Sequence, residues 1–197
     1  MKKKLPADTL VQKLNDKILS KLDITKTLIL GVVLKGLPVA YSIARTNDAM
    51  ENFVPVVAHR PLHFQHYVDS YLPSLEWNSY LVERLNHCEN LVIIDDVVNS
   101  GFTKQKLESI TISLTKGHEI SHWFAALILN RKNLAGSSFV YSSDIFALQV
   151  DAKDVECDWG TITVPLWDLP IEKARQRCEE YFQKHWLSEK RFITITY

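Results

Sequence analysis

Cysteine is scarce in this chain, neither sign of charge is in excess, and no apolar run is long. The three cysteines among 197 residues are Cys88, Cys157 and Cys178, and no two form a Cys-x-x-Cys pair. An odd, scattered set argues against a disulfide framework and for reduced, packing thiols, as expected in the cytoplasm. Lys plus Arg and Asp plus Glu number 23 each. That balance removes the electrostatic footprint of a nucleic-acid binder, so an anionic ligand must be held locally, by loop amides and a few cations. No run approaches the length needed to cross a bilayer, and no membrane partner is expected. The opening MKKKLPADTL is basic, but Pro6 and Asp8 fall where a signal peptide needs its apolar stretch. Internal repeats, low-complexity segments and an obvious linker are missing too.

What is present is the make-up of one globular domain. The chain is 46% hydrophobic and 23% charged, enough to bury a full core. Leu10, Val11, Leu14, Ile18 and Leu22 recur at helical spacing between Ala7 and Leu22. TLILGVVL (Thr27–Leu34) reads as a strand buried on both faces, and Pro38 to Ala49 as a helix with Pro in its first turn. Further strands are expected at FVPVVAH (Phe53–His59), NLVIIDD (Asn90–Asp96) and WFAALIL (Trp123–Leu129), with a helix from about Thr103 to Thr115. Strand alternating with helix predicts an α/β fold, a parallel doubly wound sheet flanked by helices. Ligands of such sheets sit beyond the carboxyl ends of the strands. The loops LKGLP and DDVVNSGFT both fall at those ends.

After Arg131 the pattern changes. FVYSS, IFALQVD and GTITVP are short strand-like pieces; a helix from Pro170 to about Trp186 and the strand-like RFITITY follow. A single domain over 1–197 is expected, with its core at about 7–130. A small hood with a C-terminal helix and strand, at about 131–197, would lie over the sheet.

The segment LVIIDDVVNSGFT (Leu91–Thr103) carries the chemistry. Adjacent Asp95 and Asp96 at the end of a hydrophobic strand repel each other and lose hydration, so a cation or ligand hydroxyls must compensate them. Asn99, Ser100, Gly101, Phe102 and Thr103 then lead into a helix. Small residues at a helix N-terminus present backbone N–H groups to an anion, and the helix dipole adds to the attraction. Phosphate cradle and paired acids are spaced as a phosphate and a vicinal diol are in a ribose 5-phosphate.

LVIIDDVVNSGFT resembles the phosphoribosyl-diphosphate signature of the type I phosphoribosyltransferases, nearest to their hypoxanthine and xanthine-guanine members. VVLKGLP (Val32–Pro38) is similar to the pyrophosphate-binding loop of that family, with Lys35 and Gly36 in the matching places and Leu37 where a second Gly often stands. By resemblance, an unusual non-proline cis peptide would lie at Leu34–Lys35, aiming N–H groups at diphosphate. FALQVDAKDVECDWGTITVP (Phe146–Pro165) is similar to the base-covering end of the xanthine-guanine enzymes. LILNRKN sits where 6-oxopurine enzymes place a base-reading Lys, so Arg131 or Lys132 is expected there. Phe146 or Trp159 is expected to stack on the base, and Glu156 matches a family acid near a second metal.

The resemblance implies a type I phosphoribosyltransferase fold with a small C-terminal hood. It further implies Mg2+-dependent transfer of ribose 5-phosphate from phosphoribosyl diphosphate (PRPP) to a nucleobase, a 6-oxopurine, in purine salvage, by a cytoplasmic homodimer. Asp95 and Asp96 would be the catalytic acids, meeting the ribose hydroxyls and, through them or water, Mg2+. Lys35 and Gly36 would bind pyrophosphate, and residues 99 to 103 the 5-phosphate. One position departs from the pattern: Asn99 stands where these enzymes carry an Asp that shares the purine N7 proton, and an amide cannot act as that base. Alternatives on the same fold are transfer to a pyrimidine or other base, and a non-catalytic regulator that binds PRPP or a nucleotide.

His59, His63 and His66 would share a helix face, as metal ligands might be arranged, but Pro61 opposes a helix there and no acid or Cys completes the set. By resemblance HRPLHFQHYVDSYLPSLEWNSY is instead the family's catalytic loop, which closes to exclude water. The apolar stripe of PIEKARQRCEEYFQKHW reads as core or as a dimer contact.

Overall fold

A computed structural model describes residues 3–33, 35–59, 83–134, 140–153, 155–158 and 193–196. Its elements are β1 (Lys3–Pro6), α1 (Ala7–Leu19), β2 (Thr27–Val33), α2 (Gly36–Thr46), β3 (Phe53–His59), β4 (Asn90–Val98), α3 (Phe102–Leu114), β5 (Ser121–Asn130), β6 (Ile145–Val150), β7 (Val155–Asp158) and β8 (Ile193–Thr196). Among the described residues no helix is long and apolar enough to cross a membrane.

Six strands make one sheet in the order β6-β5-β4-β2-β3-β8, and every neighbouring pair is parallel. The expected α/β class and doubly wound plan are thus present. Burial explains the composition of the central strands. Val92 and Ile94 of β4 enter one core cluster, and Leu91 and Ile93 enter the other. The first cluster takes Leu10, Leu14 and Ile18 of α1 with Leu37, Ala40 and Ala44 of α2. The second takes Leu107 of α3 with Phe124, Ala126 and Leu129 of β5. Strands apolar on both faces are what a sheet covered by helices on two sides requires.

The part after Arg131 differs from expectation. Within FVYSS, Val140 and Tyr141 are in no strand and Ser142–Ser143 form a turn. The Tyr141 N–H donates to Asp144 Oδ2 at 2.7 Å and the Asp144 N–H to the Tyr141 carbonyl at 3.1 Å, so a local carboxylate competes with strand pairing. β6 does not belong to a separate hood: it borders β5, with Ala125 opposite Ile145 and Asn130 opposite Val150. Ile145, Phe146 and Ala147 are all buried, as suits a sheet strand and not a surface ribbon. β8 likewise joins the sheet beside β3. Among the described residues of this part only β7 stands apart, in a two-stranded parallel ribbon with β1. The expected GTITVP strand, the Pro170–Trp186 helix, and His63 and His66 lie outside the described residues.

Phe124 is fully buried in β5. Phe124→Ala should cost about 3–5 kcal/mol of stability, read as a lower midpoint in chemical denaturation.

Candidate functional site

The strand order places a topological switch between β2 and β4: from β2 the chain moves outward to β3, then returns to the other side of β2. Crevices at such points collect ligands. Here the turn after β2, holding Lys35 and Gly36, comes against β4 at Ile94 and Asp95, and the loop that holds Asn99 to Gly101 follows at the end of the same strand.

β4 runs to Val98, past the Asp96 limit expected, so both acids sit within the strand, with Asp95 opposite Ala126 of β5. Gly36 opens α2 directly against them. A Cβ on Gly36 would fall 2.4 Å from the Ile94 carbonyl oxygen, 2.6 Å from Asp95 Cα and 3.1 Å from Asp95 Oδ1. Only hydrogen fits there, so Gly36 is what lets the lysine turn approach the acids. The Leu34–Lys35 peptide lies outside the described residues.

The acids are costly where they stand. Asp96 is buried and Asp95 half-buried, and the Asp96 N–H donates to Asp95 Oδ1 at 2.8 Å. Burial, then the neighbouring Asp96 charge, pushes the Asp95 carboxyl well above the usual range. Burial also raises Asp96. The Lys35 ammonium opposes both shifts without cancelling them. Among the described residues no cluster of three or more His, Cys, Asp or Glu is assembled, so the pair asks for a cation that brings its own oxygen ligands. Mg2+ fits this donor set, since it takes one or two carboxylates and fills its octahedron with water and ligand oxygens.

The loop after β4 turns through Gly101, whose φ of 79° favours glycine. α3 starts there without a side-chain cap, and Ser100 Oγ lies 3.4 Å from the Phe102 nitrogen. Residues 99 to 103, taken from the sequence as a phosphate cradle, therefore form the expected Gly turn into a helix. That helix begins at Phe102, one residue earlier than expected.

Beside the start of the loop after β4, β5 ends at Asn130, which sequence reasoning passed over in favour of its neighbours. Asn130 is fully buried. Its Nδ2 donates to Asn99 Oδ1 at 3.2 Å and to the Ala152 carbonyl at 2.9 Å, while its Oδ1 accepts the Ala152 N–H at 3.3 Å. Arg131 and Lys132 are exposed in the turn that follows, and Arg131 is paired with Asp151 at 2.6 Å. Asn133 Nδ2 adds a bond to the Lys153 carbonyl at 3.0 Å. Phe146, expected to stack on a base, is instead packed in the core with Phe124 and Ala126. Its carbonyl accepts from Lys17 Nζ at 2.6 Å, so its position serves packing. Glu156 stands in β7 beside Lys4; its side chain and Trp159 lie outside the described residues.

Sequence reasoning also passed over Lys104, in the first turn of α3. Its side chain is 1% exposed and its ammonium bonds both Glu108 oxygens at 2.8 Å and pairs with Asp144 Oδ1 at 3.1 Å. Tyr141 covers it, ring centroid 4.3 Å away. Burial raises the carboxyls of Glu108 and Asp144, and Lys104 opposes both shifts. The cluster fastens α3, the helix that follows the Gly101 turn, to the turn that precedes β6.

No protein-family model matches the sequence, and no curated protein matches it significantly. Among solved structures, xanthine-guanine-hypoxanthine phosphoribosyltransferase of Helicobacter pylori superposes with a TM-score of 0.50 at 15% identity, over 79% of this chain and 87% of that one. A purine phosphoribosyltransferase from Pyrococcus horikoshii follows with a TM-score of 0.47 at 16% identity, over 80% and 91%. The likeness to the first shows that the chain has the type I phosphoribosyltransferase fold.

Two outcomes are expected. Gly36→Ala should destabilise the fold by about 1–3 kcal/mol, because the methyl meets backbone that cannot yield; chemical denaturation reads this. Asp95→Asn should raise the melting temperature at neutral pH. A carboxyl whose pKa is higher folded than unfolded loses stability as pH climbs from the unfolded value through the folded one. The gain should therefore vanish below about pH 4, where the wild-type acid is protonated in both states.

Proposed function

We propose that this chain is a Mg2+-dependent phosphoribosyltransferase that moves ribose 5-phosphate from PRPP to a nucleobase, a 6-oxopurine such as hypoxanthine, guanine or xanthine, and releases pyrophosphate. The observation that carries this reading is the Asp95–Asp96 pair, half-buried and buried, with Gly36 pressed against Asp95 and the Gly101 turn following on the same strand, at one switch point.

In the reaction the bond from ribose C1 to the diphosphate oxygen breaks, the bond from C1 to a base nitrogen forms, and the base gives up a proton. Asp95 and Asp96 would hold the ribose hydroxyls and lie near the positive charge that grows on the sugar. Lys35 and the Gly36 amide would bind the pyrophosphate. Asn99, Ser100, Gly101, Phe102 and Thr103 would hold the 5-phosphate, mainly through their backbone N–H groups. Asp95, Asp96 and Glu156 are the residues assigned to Mg2+, which when bound neutralises the leaving diphosphate. Arg131, Lys132 and Trp159 are assigned to the base. A cytoplasmic homodimer acting in purine salvage completes the reading.

A second reading, a non-catalytic protein that binds PRPP or a nucleotide, is favoured by one observation. Asn99 is an amide tied to Asn130, so no carboxylate stands at that position to take a proton from a base.

Pyrophosphate release from PRPP and Mg2+, with each common nucleobase in turn, tests both. Release with a 6-oxopurine and its loss of at least about a hundredfold in Asp95→Asn/Asp96→Asn supports the transferase. PRPP binding by calorimetry without release for any base supports the second reading, and absence of binding refutes both.

A further inference from the structure

We propose that Asn130 is a positioning residue that fixes the hydrogen-bond polarity of Asn99, so that the site takes a heterocycle presenting a lone pair to Asn99. This deepens the nucleobase-site reading above and rests on it.

The argument starts from a backbone that cannot change roles. The Ala152 N–H can only donate and the Ala152 carbonyl can only accept. Asn130 lies against both, Oδ1 at 3.3 Å from the amide nitrogen and Nδ2 at 2.9 Å from the carbonyl oxygen. Turning the Asn130 amide over would set donor against donor and acceptor against acceptor in a fully buried place, where unmatched polar groups are expensive. Its orientation therefore follows from its partners rather than from a choice between look-alike atoms. One Nδ2 hydrogen is used on Ala152, and the other points at Asn99, 3.2 Å from Oδ1. Asn99 must answer with its oxygen.

Asn99 has one oxygen and two N–H groups, and the oxygen is engaged. Among the described residues no acceptor meets Asn99 Nδ2, and the residue is exposed at the start of the loop beside the acids. The face that Asn99 turns to a ligand is thus a hydrogen-bond donor. A ring nitrogen with a lone pair, or a carbonyl oxygen, satisfies it; a ring N–H opposes it. The chain from Ala152 through Asn130 to Asn99 also couples the β6–β7 connection to the phosphate loop, so the segment at 151–153 helps decide what that loop accepts.

The test measures binding by calorimetry of inosine 5′-monophosphate, its 9-deaza analogue and adenosine 5′-monophosphate. The 9-deaza compound turns a lone pair on the five-membered ring into N–H; the adenosine compound replaces the carbonyl oxygen at position 6 by an N–H donor. Inosine 5′-monophosphate should bind wild type about tenfold more tightly than at least one of the two analogues. Asn99→Asp keeps the bond from Asn130 but turns an acceptor outward, and should invert that preference. Asn130→Ala frees Asn99 to turn either way, and should bring the ratio within about twofold. Should Asn130→Ala not fold, the inversion in Asn99→Asp still decides. Wild type binding inosine 5′-monophosphate no more tightly than either analogue, or an unchanged preference in Asn99→Asp or a folded Asn130→Ala, would overturn the inference while leaving the nucleobase-site reading standing. If none of the monophosphates binds, that reading falls and takes this one with it.

Discussion

A backbone contact with no room for a side chain holds this site together. Gly36 lies so close to Ile94 and Asp95 that a single methyl group would overlap both, and because of it the start of α2 can press against β4. The Lys35 ammonium then acts on Asp95 and Asp96, two carboxyls that burial pushes above their usual range. The sheet order brings the two loops to the same end of neighbouring strands, but this one contact sets how near the cation comes to the acids.

Much of this was legible in the sequence because it follows from short-range pattern. Continuous apolar runs such as Leu28 to Leu30 and Leu91 to Ile94 read as strands covered on both faces, and they are. The paired acids followed by small residues and Gly101 marked a strand-to-helix turn, and the chain turns there at positive φ. Lys35 and Gly36 were marked only by their place after a strand, and the Gly36 contact gives that place a physical reason.

What was missed depends on partners far away in the chain. Lys104 looks like any exposed helix lysine, since nothing near it announces Asp144 or the Tyr141 ring that buries it. Asn130 was overlooked beside Arg131 and Lys132 because charge draws attention, whereas the buried amide works through the backbone of Ala152. Phe146 was assigned by position along the chain, but its place in β6 turns it into the core. β6 and β8 were set apart from the main sheet because they follow the change of pattern after Arg131; pairing across distant segments leaves no local mark.

The ribbon of β1 and β7 has a further consequence, for the order in which the molecule assembles. Lys3 pairs with Val155 and Pro6 with Asp158, so this ribbon must close one of the longest loops in the fold before it returns any stability. β2, β4 and β5 pair over much shorter separations and bury their side chains on both faces. The central strands therefore form the slowest-exchanging part of the protein, and the ribbon, with few residues and one neighbour per strand, is its last piece to close and its first to open.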